Sequence, residues 1–442
     1  MPCLILGHTT DTSIKVWVRG SHRWPAAFID LADENESVVE SKKLMTPAAN
    51  FYTAVVEFKK LTPNTRYRVK LALGKAVSDP LPSRIRQEYS EGRFTTFPPA
   101  DSPAAFSFIL GSCNLHSLGL LERPDRAWLE ISSLGKAVQA RFMMHCGDQI
   151  YADIPLRPSI DIQHFRDKYL DAWEDCVPAR KTLTEMPHYM ILDDHELIND
   201  FDRGNPDTNN QLALAAITAY WEFQHSHNPA NRHPEHHYHY EFNYAAARFF
   251  VMDTRFYRNS AQGRMIDEVQ FDDLLKWLVR FKNDLKFIVT SVPFVGVPLN
   301  PEGDKWCDVA YRNQRAQILA HILDNQVTRI VFLTGDMHTS YHATLDVSRG
   351  ERRMVLHELM SSPINQITPN LKLQAVYDTR ETVTELGNGI QVRSRITPES
   401  FYGKHSNVMV VNVDTTHQTP KVGYQIHRTT RSEAGPTGSF EP

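Results

Sequence analysis

Over residues 1–98 the apolar positions come in short runs broken by polar ones. SIKVWVRG, AAFIDLA, FYTAVVEF and TRYRVKLAL are rich in β-branched and aromatic residues, and turn-forming stretches such as LTPNTRY separate them. This spacing predicts a small all-β domain of the immunoglobulin or fibronectin kind, with MPCLILGHTTDTSIKVWVRG supplying two strands about a turn. The Pro-rich TTFPPADSP predicts a linker. From residue 104 the pattern changes. AFSFILGSC and RFMMHCGD are continuous apolar runs, as expected of strands buried on both faces. Residues 123–140, 160–174, 210–227, 267–281 and 311–324 carry helical periodicity, and HYMILDD, ARFFVMD, LKFIVTSVPF and TRIVFLTGD are strand-like segments among them. Strands alternating with helices predict a layered α/β domain. RRMVLHELMSS, SNVMVVNVD and KVGYQIH predict strands of a second sheet, and the small, polar RSEAGPTGSFEP predicts a mobile tail. The expected division is therefore a β-sandwich at 1–98, an α/β domain at 104–430 and a tail at 431–442.

Composition narrows the class without naming it. At 442 residues the chain exceeds a single core. A hydrophobic fraction of 41%, a charged fraction of 23% and a net charge of -4 describe an ordinary globular protein and argue against specific nucleic-acid binding. No apolar run reaches the ~18 residues of a membrane span. The N-terminus lacks a basic stretch followed by a long apolar one, so no signal peptide is expected and the cytoplasm is the expected location. Five scattered cysteines without a CxxC pair exclude a disulfide framework and a zinc knuckle. Four of them read as small buried hydrophobes; Cys113 does not.

Cys113 stands where a buried run stops, and four other runs stop in the same way. AFSFIL ends in Gly111-Ser112-Cys113-Asn114, RFMMHC in Gly147-Asp148-Gln149-Ile150-Tyr151, and HYMIL in Asp193-Asp194-His195-Glu196 with Asn199-Asp200 following. ARFFVM ends in Asp253-Thr254-Arg255, and TRIVFLT in Gly335-Asp336-Met337-His338. Ligands of α/β sheets bind outside the carboxyl ends of the strands. A single acidic strand end is read more simply as a helix cap, but five that together supply thiol, carboxylate, phenol and imidazole are the donor types of a metal centre. Carboxylates suit hard cations, while thiolate and phenolate suit a transition metal such as ferric iron. The mixture predicts two unlike metals, with Asp148, placed after a glycine that permits a sharp turn, as the bridge.

The ordered set GSC(N), GDQIYAD, DDHE-x-x-ND, DTR and GDMH, with SSP at residues 361–363, resembles the alkaline phosphatase D (PhoD-like) family of metallophosphoesterases. The resemblance covers roughly residues 106–363, and the N-terminal β domain is similar to that family's layout. It implies a four-layer α/β/β/α sandwich and phosphoester hydrolysis, of monoesters or diesters, by a metal-bound hydroxide at a dinuclear or trinuclear site. Carried over by position, Cys113 and Tyr151 would bind an iron-like Fe3+, with His338, and Asp148 would bridge to a second ion held by Asp194 and Asp336. Asn199 would be an extra ligand to Ca2+, His195 would assist the leaving oxygen, and Arg255 would contact phosphate. Zinc, manganese or magnesium could stand in for iron and calcium. The substrate implied is a small-molecule or polymeric phosphoester. Family members are often secreted through the twin-arginine route, and no such leader is visible here, which sets the cytoplasmic expectation against that habit.

Bland readings stand beside these. Cys113 could be a nucleophile with His195 or His338 as base, and the α/β domain could be a catalytically silent scaffold; neither accounts for the carboxylates. Asp193 is read as orienting a ligand, Glu196 as capping a helix, and Asp253 as holding Arg255 or a ligand. Asp153 stands between a loop hydrogen bond and support of the site. The histidine-rich HSHNPANRHPEHHYHYEF is read as a loop leading into a strand, and Lys305-Trp306 as part of a Pro/Gly-rich loop near the site or a surface turn.

Overall fold

The computed structural model describes residues 3–78, 89–116, 125–233, 237–299, 303–366, 381–387 and 389–442. Near the N-terminus, two antiparallel sheets face each other. One orders Cys3–Thr9, Ser13–Arg19 and Thr53–Lys59, and the other Val38–Met45, Ala26–Ala32, Arg66–Gly74 and Ser90–Thr95. Ile14, Val16 and Val18 turn inward to pack with Ile29, Val69 and Leu71. Trp17, on the opposite face, is buried as well: it packs with Tyr169, Trp173 and Phe223 and donates its indole N–H to the Glu222 carbonyl at 2.7 Å. Burial on both faces explains the unbroken VWV of that strand. Val38–Met45 escapes a hydrophobicity reading because it is an exposed edge carrying Glu40, Lys42 and Lys43, the residue types that protect sheet edges.

The rest of the chain builds two large sheets. The six-stranded sheet runs His188–Ile191, Met143–Cys146, Ala105–Gly111, Asn407–Asp414, Lys421–Arg428 and Glu433–Phe440, its first three strands parallel. The eight-stranded sheet runs Tyr240–Tyr244, Ala247–Val251, Lys286–Val289, Ile330–Thr334, Arg352–Met360, Tyr341–Arg349, Ile390–Ile396 and Thr382–Gly387, with a parallel centre. Between the sheets Phe108 meets Phe249 and Phe287 edge-on at 5.9 and 5.8 Å, among Met144, Val331 and Leu359. Each such buried side chain contributes roughly 1.5–3 kcal/mol. Helices cover both outer faces. Trp128 and Ile131 of Asp125–Ala137 pack on Ile109 and Met143. Trp277 of Glu268–Arg280 and Leu319 and Ile322 of Arg312–Asp324 pack around Phe250, Ile288 and Phe332. The architecture is the expected α/β/β/α sandwich.

Two expectations are corrected. The late strands do not share a second sheet: Arg352–Met360 joins the eight-stranded sheet, whereas Asn407–Asp414 and Lys421–Arg428 extend the six-stranded one. Residues 431–442, expected to be a mobile tail, instead supply the edge strand Glu433–Phe440, antiparallel to Lys421–Arg428. Main-chain pairing makes that strand, so it needs no apolar run, and Phe440 anchors it by stacking on His357 at 4.1 Å and His342 at 4.6 Å. Among the described residues no helix is long and apolar enough to cross a membrane.

Candidate metal centre

The parallel strands bring their carboxyl ends together, and close backbone approaches fix the spacing. A Cβ on Gly147, whose φ is +89°, would lie 2.5 Å from the Asp193 Cβ; one on Gly335 would lie 2.5 Å from Ser112 Oγ and 2.6 Å from the Cys146 carbonyl oxygen. Four strand ends therefore touch. Cys113, Asp148, Asp200, Asp336 and His338 all adopt positive φ, from 51° to 72°. Each such residue costs roughly 1–2 kcal/mol against its relaxed backbone. Hydrogen bonds between the strand ends offset that cost: Asn114 N–H donates to the Asp148 carbonyl at 2.8 Å, and His338 N–H to Ser362 Oγ at 3.1 Å.

Most of the residues singled out from sequence converge here. Asp148, Asp194 and His195 offer donor atoms within 4.8 Å of one another, as do Asp148, Asp193 and Asp336, and Asp194, Asp200 and Asp304. Asp148 and Asp194 each belong to two of these groups. Cys113 Sγ lies 3.3 Å from Asp148 Oδ2, and Cys113 packs with Tyr151 and Leu115. The Tyr151 hydroxyl is 3.4 Å from His338 Nε2, and its ring lies over His195 with centroids 4.1 Å apart. Asp153 does both things expected of it: its Oδ1 sits 2.7 Å from His195 Nδ1, and its Oδ2 accepts from the Asn199 amide at 2.8 Å.

Two members are placed differently. Arg255, expected to contact phosphate, is fully buried, and its guanidinium is committed to Asp193 at 2.5 Å and Asp304 at 3.1 and 3.2 Å. It braces the carboxylates from behind because two buried anions need a buried cation. Asn199, expected as an extra calcium ligand, is exposed, and its amide donates to Asp200 Oδ2 at 2.6 Å; the Asp200 carboxylate, also on an exposed residue, lies with those of Asp194 and Asp304.

Other residues only the fold reveals. Glu196 caps its 3-10 turn as expected and also accepts from the backbone amides of Asp148, Gln149 and Asp193 at 3.0, 2.6 and 2.7 Å, tying two strand ends together. Lys305 is buried, not a surface turn, with Nζ 2.8 Å from Asp304 Oδ2 and 2.5 Å from Asp336 Oδ2. The position of Asp304-Lys305 after a Pro/Gly-rich stretch was the only sequence signal for the pair. The histidine tract turns elsewhere: His237 pairs with Asp267 at 2.7 Å and His239 with Asp273 at 3.2 Å, while His236 lies outside the described residues.

The electrostatics describe a site short of positive charge. Burial, reinforced by neighbouring carboxylates, pushes Asp148 well above the carboxylate range and Asp336 up to about 8, although His195 and Lys305 respectively oppose this. Burial likewise raises Asp194, but Arg255 and His195 outweigh it and hold that group low. Burial lowers His195, yet Asp194, Asp148 and Asp153 outweigh it and lift the imidazole to about 10. Burial and Asp148 push the Cys113 thiol up, and burial takes His338 down to about 4. Asp193 Oδ2, Asp194 Oδ1, Asp304 Oδ1 and Asp336 Oδ2 are buried with no hydrogen-bond donor. Unpaired buried carboxylate oxygens are costly, and cations fit them.

Residues 126–418 match the PhoD-like phosphatase family, and the chain belongs to that family. Its structure is similar to that of PhoD, with TM-score 0.72 and 17% identity over 99% of this chain and 90% of that one. It is also similar to the purple acid phosphatase PPD1 from yellow lupin (Lupinus luteus) seeds, with TM-score 0.62 and 12% identity over 100% of this chain and 74% of that one. At these identities the likeness bears on the fold alone. Comparison with curated proteins finds no match.

Proposed function

We propose that the chain hydrolyses phosphoesters at a dinuclear metal centre formed by these strand ends. The observation that carries the reading is the convergence of three buried carboxylate oxygens without a donor, and a fourth paired with Lys305, beside a thiol, a phenol and two imidazoles. Cys113, Tyr151 and His338 would hold an iron-like ion; Asp194 and Asp336, with Asp200 and Asp304 nearby, would hold a harder ion such as calcium; Asp148 would serve both. When bound, such ions polarise a phosphoryl oxygen and acidify water. The protein's own contribution is positional. Arg255 and Glu196 fix the carboxylate-bearing loops, so little reorganisation is left for the reaction itself. His195, with Nδ1 committed to Asp153, presents Nε2 to the substrate, and a carboxylate partner favours the imidazolium that can give a proton to the departing oxygen.

The cysteine-nucleophile alternative finds no support in this geometry. The Cys113 thiol faces Asp148 Oδ2 and, at 3.4 Å, the Asp336 carbonyl, both acceptors, and burial holds it protonated. The test is elemental analysis of purified protein, paired with hydrolysis of p-nitrophenyl phosphate and bis-p-nitrophenyl phosphate before and after chelation. Metal present, and activity lost on chelation and regained on metal return, is the expected result. Undiminished activity in metal-free protein would refute the proposal.

A further inference from the structure

Lys305 stands on the seam between two carboxylate groups. Its Nζ lies 2.5 Å from Asp336, which shares a group with Asp148 and Asp193, and 2.8 Å from Asp304, which shares one with Asp194 and Asp200. The two contacts differ in kind. Lys305 Nζ donates a hydrogen bond to Asp304 Oδ2, but Asp336 Oδ2 has no aligned donor despite its closer approach. The Asp304 contact is thus directional and the Asp336 contact is Coulombic alone. Fixed cations gather on the Asp304 side: Arg255 bonds the same oxygen, and Arg258 lies 3.8 Å from it. On the Asp336 side Lys305 is the close cation. The Lys305 backbone is pinned by its N–H to Asp308 Oδ2 at 2.7 Å, and the next residue, Trp306, donates its indole N–H to Thr290 Oγ1 at 3.3 Å. The loop that carries Lys305 is therefore held by contacts that do not involve its ammonium.

We propose that Lys305 is an internal cation that neutralises Asp336 in the metal-free protein and competes with metal for that carboxylate, so that it sets the threshold of metal affinity at this end of the centre. Lys305 is a positioning residue, and the proposal rests on reading the cluster as a metal centre. A divalent ion that takes Asp336 displaces the ammonium, which stays on Asp304. Part of the ion's binding free energy is then spent on breaking an existing ion pair, and removing the competitor returns it. Each 1.4 kcal/mol so returned is a tenfold gain in affinity.

The experiment titrates Mn2+ alone into the chelator-treated full chain by calorimetry, for wild type, Lys305→Gln and Lys305→Met, with melting curves of each metal-free and loaded form. Glutamine keeps a donor for Asp304; methionine keeps the stem without polarity; either one that folds suffices. Mn2+ binding at least tenfold tighter in the variant is expected, together with a lower metal-free melting temperature that added Mn2+ restores. A merely structural lysine would lower the melting temperature and leave the affinity unmoved. Affinity within twofold of wild type, or weaker, overturns the proposal while leaving the metal reading intact. Binding by neither protein overturns both.

Discussion

Glu196 offers the sharpest single test of how the site is held. Its Oε2 accepts from the Asp148 and Asp193 amides, and its Oε1 from the Gln149 amide and, at 2.9 Å, from Gln224 Nε2. Glu196→Gln has the same shape, so it opens no cavity and isolates the acceptor chemistry. The carboxamide has one oxygen and one NH2. With the NH2 in the Oε2 site the Asp148 and Asp193 amides lose their acceptor; in the Oε1 site Gln224 can turn its free Oε1 towards the NH2, and the Gln149 amide alone loses its acceptor. At ~1–3 kcal/mol for each unsatisfied buried donor, the variant should lose at least about 1–3 kcal/mol, a large share of the ~5–15 kcal/mol that keeps a typical domain folded. Urea unfolding reads that loss, and native-state hydrogen exchange should show it concentrated at the amides of Asp148, Gln149 and Asp193. The same strand ends carry Asp148 and Asp194, so metal affinity should fall as well. A loss under about 0.5 kcal/mol, the range of ordinary surface changes, together with unchanged exchange at those amides, would refute the reasoning.

Arg255→Met should cost ~3–5 kcal/mol in the metal-free protein, because Asp193 and Asp304 lose a fully buried cation; a variant of normal stability with only a raised KM would restore Arg255 as a phosphate contact. His195→Ala should keep its metal content and lose ~10²–10⁴-fold in kcat on alkyl phosphoesters, with a smaller loss on p-nitrophenyl esters, whose leaving group needs no proton; equal losses on both would remove His195 as the acid. Burial takes His357 to about 4 and, with help from His357, His342 to about 3, and the two rings bond each other at 3.1 Å. The unfolded rings bind protons below about 6.5 while the folded ones do not, so global stability should fall as pH drops from 6.5 towards 4, by up to about 3 kcal/mol at the His357 site. Urea unfolding of wild type and His357→Gln at pH 7 and pH 5 checks this, and the same pH dependence in both would contradict it.

The layered fold and the heart of the site were legible for one physical reason. A strand buried on both faces reads as an apolar run, and the residue that breaks the run marks the strand's carboxyl end, where ligands bind. That reasoning reaches Cys113, Asp148, Asp194 and Asp336 directly. It fails where direction, not position, decides. Arg255 sits at a strand end like the others but turns back into the protein, and only the fold shows that Asp193 and Asp304 await it. It falls short for side chains carried by loops: the Pro/Gly-rich stretch placed Lys305 near the site, but its pairing with Asp304 and Asp336 emerges only from the structure. The Glu433–Phe440 strand was missed because its stability lies in main-chain pairing and one terminal aromatic, neither of which leaves a periodic trace.

The buried outer face of the N-terminal sandwich has a consequence for how the chain comes to be folded. Its inner core is complete once the Ser90–Thr95 strand exists, so the sandwich can close early in synthesis. Its other face cannot. Trp17 waits for the carbonyl of Glu222, 205 residues later, and Lys15 for that of Asn228, 213 residues later. At ~5–20 residues per second, the face bearing Cys3, Ile5 and Trp17 stays uncovered for on the order of ten seconds after the sandwich has formed. Until the segment carrying Phe223 is made, that face has no partner within the chain.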